Sequence, residues 1–205
     1  NDNVCIGFNA GTLRDSKVGD VSYNTFVGHN AGYYIDPGDN FNVAIGTQAG
    51  HRGFGGSYNI NIGYRTGYKS SSTEIGDQNI QIGPNTGRDT TGSFNILIGR
   101  FAELPYPDGT SRLAIGNVLY GTNIGGGNSP VSTGRIGIKT VDPTSTLQVN
   151  GTPGEQFRIE TPYTPTSVSD STGNPGDFSW DDDNLYLKTN NGWGSIGLFG
   201  TAGTD

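Results

Sequence analysis

One five-residue phrase recurs along the first half of the chain and restricts the fold more than any other feature. Asn3-Val4-Cys5-Ile6-Gly7, Asn24-Thr25-Phe26-Val27-Gly28, Asn42-Val43-Ala44-Ile45-Gly46, Asn59-Ile60-Asn61-Ile62-Gly63, Asn79-Ile80-Gln81-Ile82-Gly83 and Asn95-Ile96-Leu97-Ile98-Gly99 share one template. Arg112-Leu113-Ala114-Ile115-Gly116 is a degenerate seventh copy, and the closing glycines are 21, 18, 17, 20, 16 and 17 residues apart. The first five copies carry another glycine four residues on, Gly11, Gly32, Gly50, Gly67 and Gly87, each preceded by Ala or Thr. A unit of this size, repeated without a helical period, is the signature of a stacked architecture in which neighbouring units bury one another.

Within the phrase the apolar residues alternate, which is the two-residue period of a strand. The alternation predicts that Val4, Ile6, Thr25, Val27, Val43, Ile45, Ile60, Ile62, Ile80, Ile82, Ile96, Ile98, Leu113 and Ile115 form the core of the repeat. Tyr23, Phe41, Tyr58 and Phe94 stand two residues earlier in phase with the same interior, with Gln78 as the exception. The middle residues, Cys5, Phe26, Ala44, Asn61, Gln81, Leu97 and Ala114, are then assigned to a second surface of mixed polarity. Gly7, Gly28, Gly46, Gly63, Gly83, Gly99 and Gly116 are expected to close each strand with a turn that needs positive φ or close backbone approach. Strand, turn, short return and loop at this spacing describe the rungs of a β-solenoid, with variable lengths in edge loops such as 53–57 and 69–72.

Composition agrees. Glycine supplies 35 of 205 residues, which disfavours helices, and only 31% of the chain is apolar, so the core must be thin. Three inward side chains per rung do not offset the entropy of ordering some eighteen residues, which predicts an obligate homo-oligomer, with threefold closure around a fibre axis. The net charge of −7, without a basic run, gives no footing for nucleic acid or an anionic membrane. No segment is apolar enough for a membrane span, and the start is not a signal peptide. The lack of any Met is expected of a processed chain or an excerpt from a longer one. The lone Cys5 excludes an intrachain disulfide framework and reads as a packed small residue.

The phrases at 42–46, 59–63 and 79–83 resemble the head repeats of trimeric autotransporter adhesins, whose related Asn-Ser-Val-Ala-Ile-Gly phrase builds a trimeric left-handed parallel β-roll. With their second glycine they are still more similar to the "NTFIGYNAG"-type repeats of tail and capsid fibres of tailed bacteriophages; the likeness covers residues 3–118. Residues 134–151, Gly134-Arg135-Ile136-Gly137-Ile138 through Asp142-Pro143 to Leu147-Gln148-Val149-Asn150-Gly151, resemble a "VGIGTTSPxxxLDVNG" segment that precedes a distal domain or self-cleaving chaperone in many phage fibres. Gly176 to Leu198 is similar to a "GDxxWD…LYxxxxxxWxxI" module at the ends of phage structural proteins, with hairpin turns at 182–184 and 190–192 and a tip core of Phe178, Trp180, Leu185, Leu187, Trp193 and Ile196. No chaperone segment follows Asp205, so the resemblance implies that one was removed or that the fibre assembles without it.

The expectation is therefore an all-β chain: a trimeric parallel β-solenoid or β-roll shaft over 1–118, a Gly-rich linker at 119–133, a transition β-motif at 134–152, and an extended segment with a β-hairpin tip at 153–205. The resemblance implies a non-enzymatic structural and adhesive module of a phage virion, tail or capsid attached. Its partners would be its own copies as a homotrimer, other virion structural proteins, and a host surface glycan or protein receptor. Neither nucleic acid, membrane insertion nor a cofactor enters. The head of a bacterial trimeric adhesin is the alternative, but it calls for a heptad stalk that 119–205 lacks. A polysaccharide-cleaving tailspike is the enzyme alternative, and an ice-binding solenoid would want like residues, usually Thr, at the middle position.

Candidate chemistry is sparse. His29 and His51, the only histidines, cannot make a structural zinc site with one Cys; they read as exposed turn residues or, through symmetry copies, as an axial ion site. The "GWGSIG" run at 192–197 matches a dinucleotide glycine pattern but lacks the strand-to-helix context and a downstream acid. Asp181, Asp182 and Asp183 with Asp177 read as a solvated hairpin turn, with calcium as the sharper reading. Asp15, Asp20, Asp36, Asp39, Glu74 and Glu103 supply carboxylates for glycoside hydrolysis if two converge across a chain boundary. Tyr33, Tyr34, Phe54, Tyr64, Tyr68, Tyr106 and Tyr163 are loop aromatics that either stack on a ligand or pack over the thin core.

Overall fold

The computed structural model describes residues 2–13, 19–52, 56–70, 76–125, 133–151 and 162–197. Asp15, Phe54, Glu74 and Leu198 lie outside the described residues, as do parts of the loops at 53–57 and 69–72, residues 126–132, and 153–161 of the segment expected to be extended. The chain divides into two compact units, Asn1–Thr152 and Pro153–Asp205. No helix occurs among the described residues.

Each repeat phrase makes one short strand, because alternating β-branched residues favour extended backbone and the closing glycine ends it. The seven are β1 (Val4–Ile6), β2 (Thr25–Val27), β3 (Val43–Ile45), β4 (Ile60–Ile62), β5 (Ile80–Ile82), β6 (Ile96–Ile98) and β7 (Leu113–Ile115). Each pairs in parallel with the next, residue for residue, so that Ile60 lies between Val43 and Ile80. This is a parallel β-solenoid of six turns. Behind the strand the corners form ladders of their own: the amides of Gly11, Gly32, Gly50, Gly67 and Gly87 donate to Ala31, Ala49, Thr66, Thr86 and Ala102 one rung on, at 2.8–2.9 Å. The backbone of one rung is thus satisfied by the next, as a chain with little core to bury requires.

The stack then reverses. β8 (Leu119–Thr122) runs antiparallel to β7, β9 (Arg135–Ile138) antiparallel to β8, and β10 (Leu147–Val149) parallel to β9, all in the same ten-stranded sheet. Residues 119–122 are therefore a strand and not part of a Gly-rich linker, while Asp142-Pro143 falls between β9 and β10. Arg112, which replaces the repeat Asn in the seventh phrase, turns its guanidinium to Asp142 at 2.5 Å and ties the last rung to this motif.

The inside of the coil is opposite to the sequence expectation. Where a rung lies on either side, the middle residues point inward: Phe26, Ala44, Asn61, Gln81, Leu97 and Ala114 are all buried. Ile45, Ile82, Ile98 and Ile115 are 36–38% exposed, and Val4 and Ile6 at the open end 50% and 60%. The predicted repeat core, Val4, Ile6, Thr25, Val27, Val43, Ile45, Ile60, Ile62, Ile80, Ile82, Ile96, Ile98, Leu113 and Ile115, is thus the outer face of the sheet, none of it buried within the chain. The reason is width. Opposite the middle residue runs the Ala/Thr column, with Ala31, Ala49, Thr66, Thr86 and Ala102 at 0% exposure. A Cβ on Gly32 would fall 2.5 Å from the Phe26 ring, and one on Gly67 2.8 Å from Asn61 Cγ. The coil has room for one side chain per rung and a small partner, not for two aliphatics and an aromatic.

The repeat Asn shares the inward phase and forms a second internal column. Asn24, Asn42, Asn59, Asn79 and Asn95 are buried, and each Oδ1 accepts the backbone N–H of the residue at the same position one rung on, at 2.7–3.0 Å.

In the second unit, β11 (Phe178–Trp180), β12 (Asn184–Thr189) and β13 (Gly192–Gly197) form an antiparallel meander. Its turns cover 181–183 and 190–191, close to the expected hairpins. The register places Phe178, Trp180, Leu185, Leu187 and Ile196 on one face, where Phe178 and Ile196 are 62% and 69% exposed. Of the predicted tip core, only Trp193 is buried. It lies on the other face, its indole N–H donating to the Thr172 carbonyl at 3.0 Å, with the Tyr163 ring 6.1 Å away and the Lys188 ammonium 5.3 Å from its ring. The segment around 163–172 covers that face, which leaves the aliphatic one open.

Candidate functional site

Two surfaces of the solenoid unit carry chemistry. The first is the outer face of β1–β7. Its aliphatic rows are flanked by the aromatics that precede each Asn. Tyr23, Phe41, Tyr58 and Phe94 are 45–56% exposed and have φ of 60–62°, a left-handed conformation that costs an L-residue about 1–2 kcal/mol. Gln78 and Ser111 continue the same corner with φ of 58° and 55°. That conformation turns the rings outward into a column: Tyr23 stacks on Phe41 at 5.0 Å and Phe41 on Tyr58 at 4.8 Å, with planes within 9°. Four aromatics and six aliphatics at a third to more than half exposure amount to apolar surface on the order of 800 Å², above the roughly 300–600 Å² of the largest patch on a typical monomer.

The second surface runs along the corner after the strand. Tyr33, His51 and Tyr68 occupy the same position of successive rungs, with ring centroids 5.3 and 5.0 Å apart, and the Arg88 guanidinium lies 5.9 Å from the Tyr68 ring. Arg65 stands over both Tyr64, at 5.3 Å, and Tyr68, at 5.2 Å, steadied by a 2.6 Å bond from its Nε to Gln48; Arg52 lies 6.0 Å from the Tyr34 ring. Tyr64 is 48% exposed and Arg52 is exposed. Among the described residues no carboxylate comes within ion-pairing distance of Arg52, Arg65 or Arg88. His51, 6% exposed, has its pKa lowered to about 4, first by burial and then by Arg52 and Arg65, and its Nδ1 is buried without a hydrogen-bond partner. It serves as a neutral spacer in the column.

One rung position further, Lys69 is wholly buried. Its ammonium donates to the Thr90 carbonyl, and burial lowers its pKa to about 8 against the opposing pull of Asp89. Asp89 itself accepts from the Ser70 amide and hydroxyl at 2.9 and 2.8 Å.

The remaining candidates are dispersed. His29 is exposed and stacks on Phe8 at 5.6 Å. Cys5 points into a cavity of about 110 Å³ at the open end of the coil, lined also by Leu13, Val21, Phe26 and Ile35, and is solvent-exposed there. Asp39 accepts the Asp36 amide at 2.9 Å, so both help build a buried turn, whereas Asp20 and Glu103 are exposed. Asp181 accepts the Tyr186 hydroxyl at 2.6 Å and the amides of Asp183 and Asn184, and Asp177 accepts the Asn174 amide at 2.7 Å. Among the described residues no three His, Cys, Asp or Glu side chains gather as a metal site. Residues 192–197 are the whole of β13, an antiparallel strand and not a phosphate loop. Tyr106 is exposed, and the Tyr163 hydroxyl donates to Asp170 at 2.6 Å.

The coil thus brings Tyr33, Tyr34, Tyr64 and Tyr68 together with His51, leaves Tyr106 out of that group, and adds three arginines that sequence reading did not single out, while Tyr163 belongs to the second unit. Arg88 stands five residues after its closing glycine, as Tyr33, His51 and Tyr68 do, whereas Arg52 and Arg65 stand six and two residues after theirs and join the column only in the folded rung. No family model matches the chain, and no curated protein or solved structure is significantly similar to it.

Proposed function

We propose that this chain is a non-enzymatic structural and adhesive module of a tailed-phage fibre, in which three copies associate through the outer faces of β1–β7 and the C-terminal module is available for host contact. One observation carries the assembly: a continuous aliphatic and aromatic face, one row per rung, that the chain leaves in water. An edge-on row of Val and Ile suits a symmetric partner, because identical rungs present identical spacings. Copies of the chain cover that face at no cost in new chemistry. The apolar face of the β11–β13 sheet, where Phe178 and Ile196 are exposed, is a second surface of the same kind. The virion assignment is supported by the repeat phrase with its second glycine, by the Asp-Pro segment and by the terminal Trp-containing module.

Two measurements test the reading. Light scattering at micromolar concentration is expected to give three times the 21.6 kDa chain mass, and the triple variant Ile45→Asp, Ile62→Asp, Ile82→Asp to give a monomer that keeps its β circular dichroism. A compact 21.6 kDa wild-type species overturns the assembly. Antibody labelling of source particles in the electron microscope is expected to decorate fibres; unlabelled fibres beside labelled material elsewhere refute the location.

A further inference from the structure

We infer that the aromatic and guanidinium ridge along rungs two to five binds an acidic polysaccharide laid lengthwise on the side of the solenoid. The ridge gathers Arg52, Arg65 and Arg88, none of them ion-paired to a carboxylate among the described residues, on a molecule whose net charge is −7. Segregated charge of this kind steers a polyanion to one place and repels it elsewhere. Each guanidinium is held beside a tyrosine ring, at 5.2–6.0 Å, so its planar donors are pre-oriented and little side-chain entropy is lost on binding. Stacked strands lie about 4.8 Å apart, and Arg52, Arg65 and Arg88 fall on three successive rungs, one cation per rung for an extended polymer to meet. The half-exposed Tyr64 ring, one residue before Arg65, adds an apolar surface of the sort that packs on a sugar face.

Charge density separates polysaccharide from nucleic acid. Duplex DNA carries a charge every 1.7 Å or so, and three arginines on an otherwise acidic molecule cannot neutralise such a line. A polymer with one carboxylate per sugar matches a sparse supply of one arginine per rung. Asp89 and Glu103, next to Arg88, end the positive stretch on that side. The site is made by one chain, so the inference holds for any assembly state.

The test is retention of the full chain on immobilised polygalacturonate, with neutral dextran and single-stranded DNA as parallel columns. Retention is expected on polygalacturonate at about 50 mM salt, with loss at about 500 mM as screening shortens the reach of the charges. The double variant Arg52→Ala, Arg65→Ala is expected to weaken binding about tenfold or more while keeping the wild-type mass in solution, which separates loss of the site from loss of assembly. Should that variant misfold, Arg52→Glu alone, at an exposed position, carries the same expectation. Absence of retention, equal retention on dextran, tighter retention on DNA, or undiminished binding by a folded variant each overturns the inference.

Discussion

Asn79 shows how much one repeat position does. Its Oδ1 accepts the Asn95 amide at 3.0 Å, and its Nδ2 donates to Asn59 Oδ1 and to the carbonyls of Gly76 and Gly92 at 3.0–3.1 Å. Replacing it by Ala strands several buried groups at once, so Asn79→Ala is expected to lower the unfolding free energy by about 2–4 kcal/mol in urea titration. Asn79→Asp keeps the acceptor and loses the donors, and is expected to be destabilising as well. His51 yields a pH prediction. Unfolded, it protonates near 6.5; folded, only near 4, because the site excludes its charged form. The unfolded chain therefore takes up the proton first, and stability falls as pH drops from about 6.5 towards 4, by on the order of 2 kcal/mol. His51→Phe, which keeps a ring between Tyr33 and Tyr68, is expected to remove that slope from the urea midpoints.

At the scale of the element, the rung is limited by how closely two backbones approach. Gly46 has a φ of 129°, and a Cβ there would fall 2.6 Å from the Gly63 carbonyl oxygen of the next rung. Gly46→Ala is expected to cost about 3 kcal/mol or more, read as a drop in thermal midpoint, since both the conformation and the contact forbid a side chain. Strand positions, closing glycines and the stacking order are legible in the sequence, because period and turn chemistry are local. The inside is not. Hydrophobicity assigns Val and Ile to a core, but the deciding clue is steric: the second glycine and the Ala or Thr before it announce a bore too narrow for them. Asn is also in phase with the middle residue, and an inward Asn column was the other readable sign. The same error recurs in β11–β13, where apolar residues mark the uncovered face and Trp193 alone holds the covered one. The guanidinium ridge was legible only in part: Tyr33, His51, Tyr68 and Arg88 each follow a closing glycine by five residues, but Arg52 and Arg65 do so by six and two, and no repeat position announces them.

The molecule as a whole consists of two units with separate supports. The solenoid is held by rung-to-rung hydrogen bonds; the C-terminal unit relies on carboxylates. Asp181 is brought down to about 2, first by the Tyr186 hydroxyl, and Asp170 is held well below the usual carboxylate range, first by the Tyr163 hydroxyl and then by the amides of Thr166 and Thr172. These contributions are complete above about 4 and fade as pH falls through the lowered values. Both tryptophans belong to this unit, so their emission reports on it alone. That emission is expected to shift between about pH 4 and 2 in the wild type and at higher pH in Asp181→Asn. An unchanged Asp181→Asn profile contradicts the assignment.

The reversal at β8 has a consequence for size. A stack of like rungs could go on adding copies, and the chain instead ends its own run of seven by turning back. Inserting or deleting one phrase upstream of that turn would alter the span by about 4.8 Å and disturb nothing after it. The count of phrases is therefore a ruler, graduated in the gene and read out in ångströms.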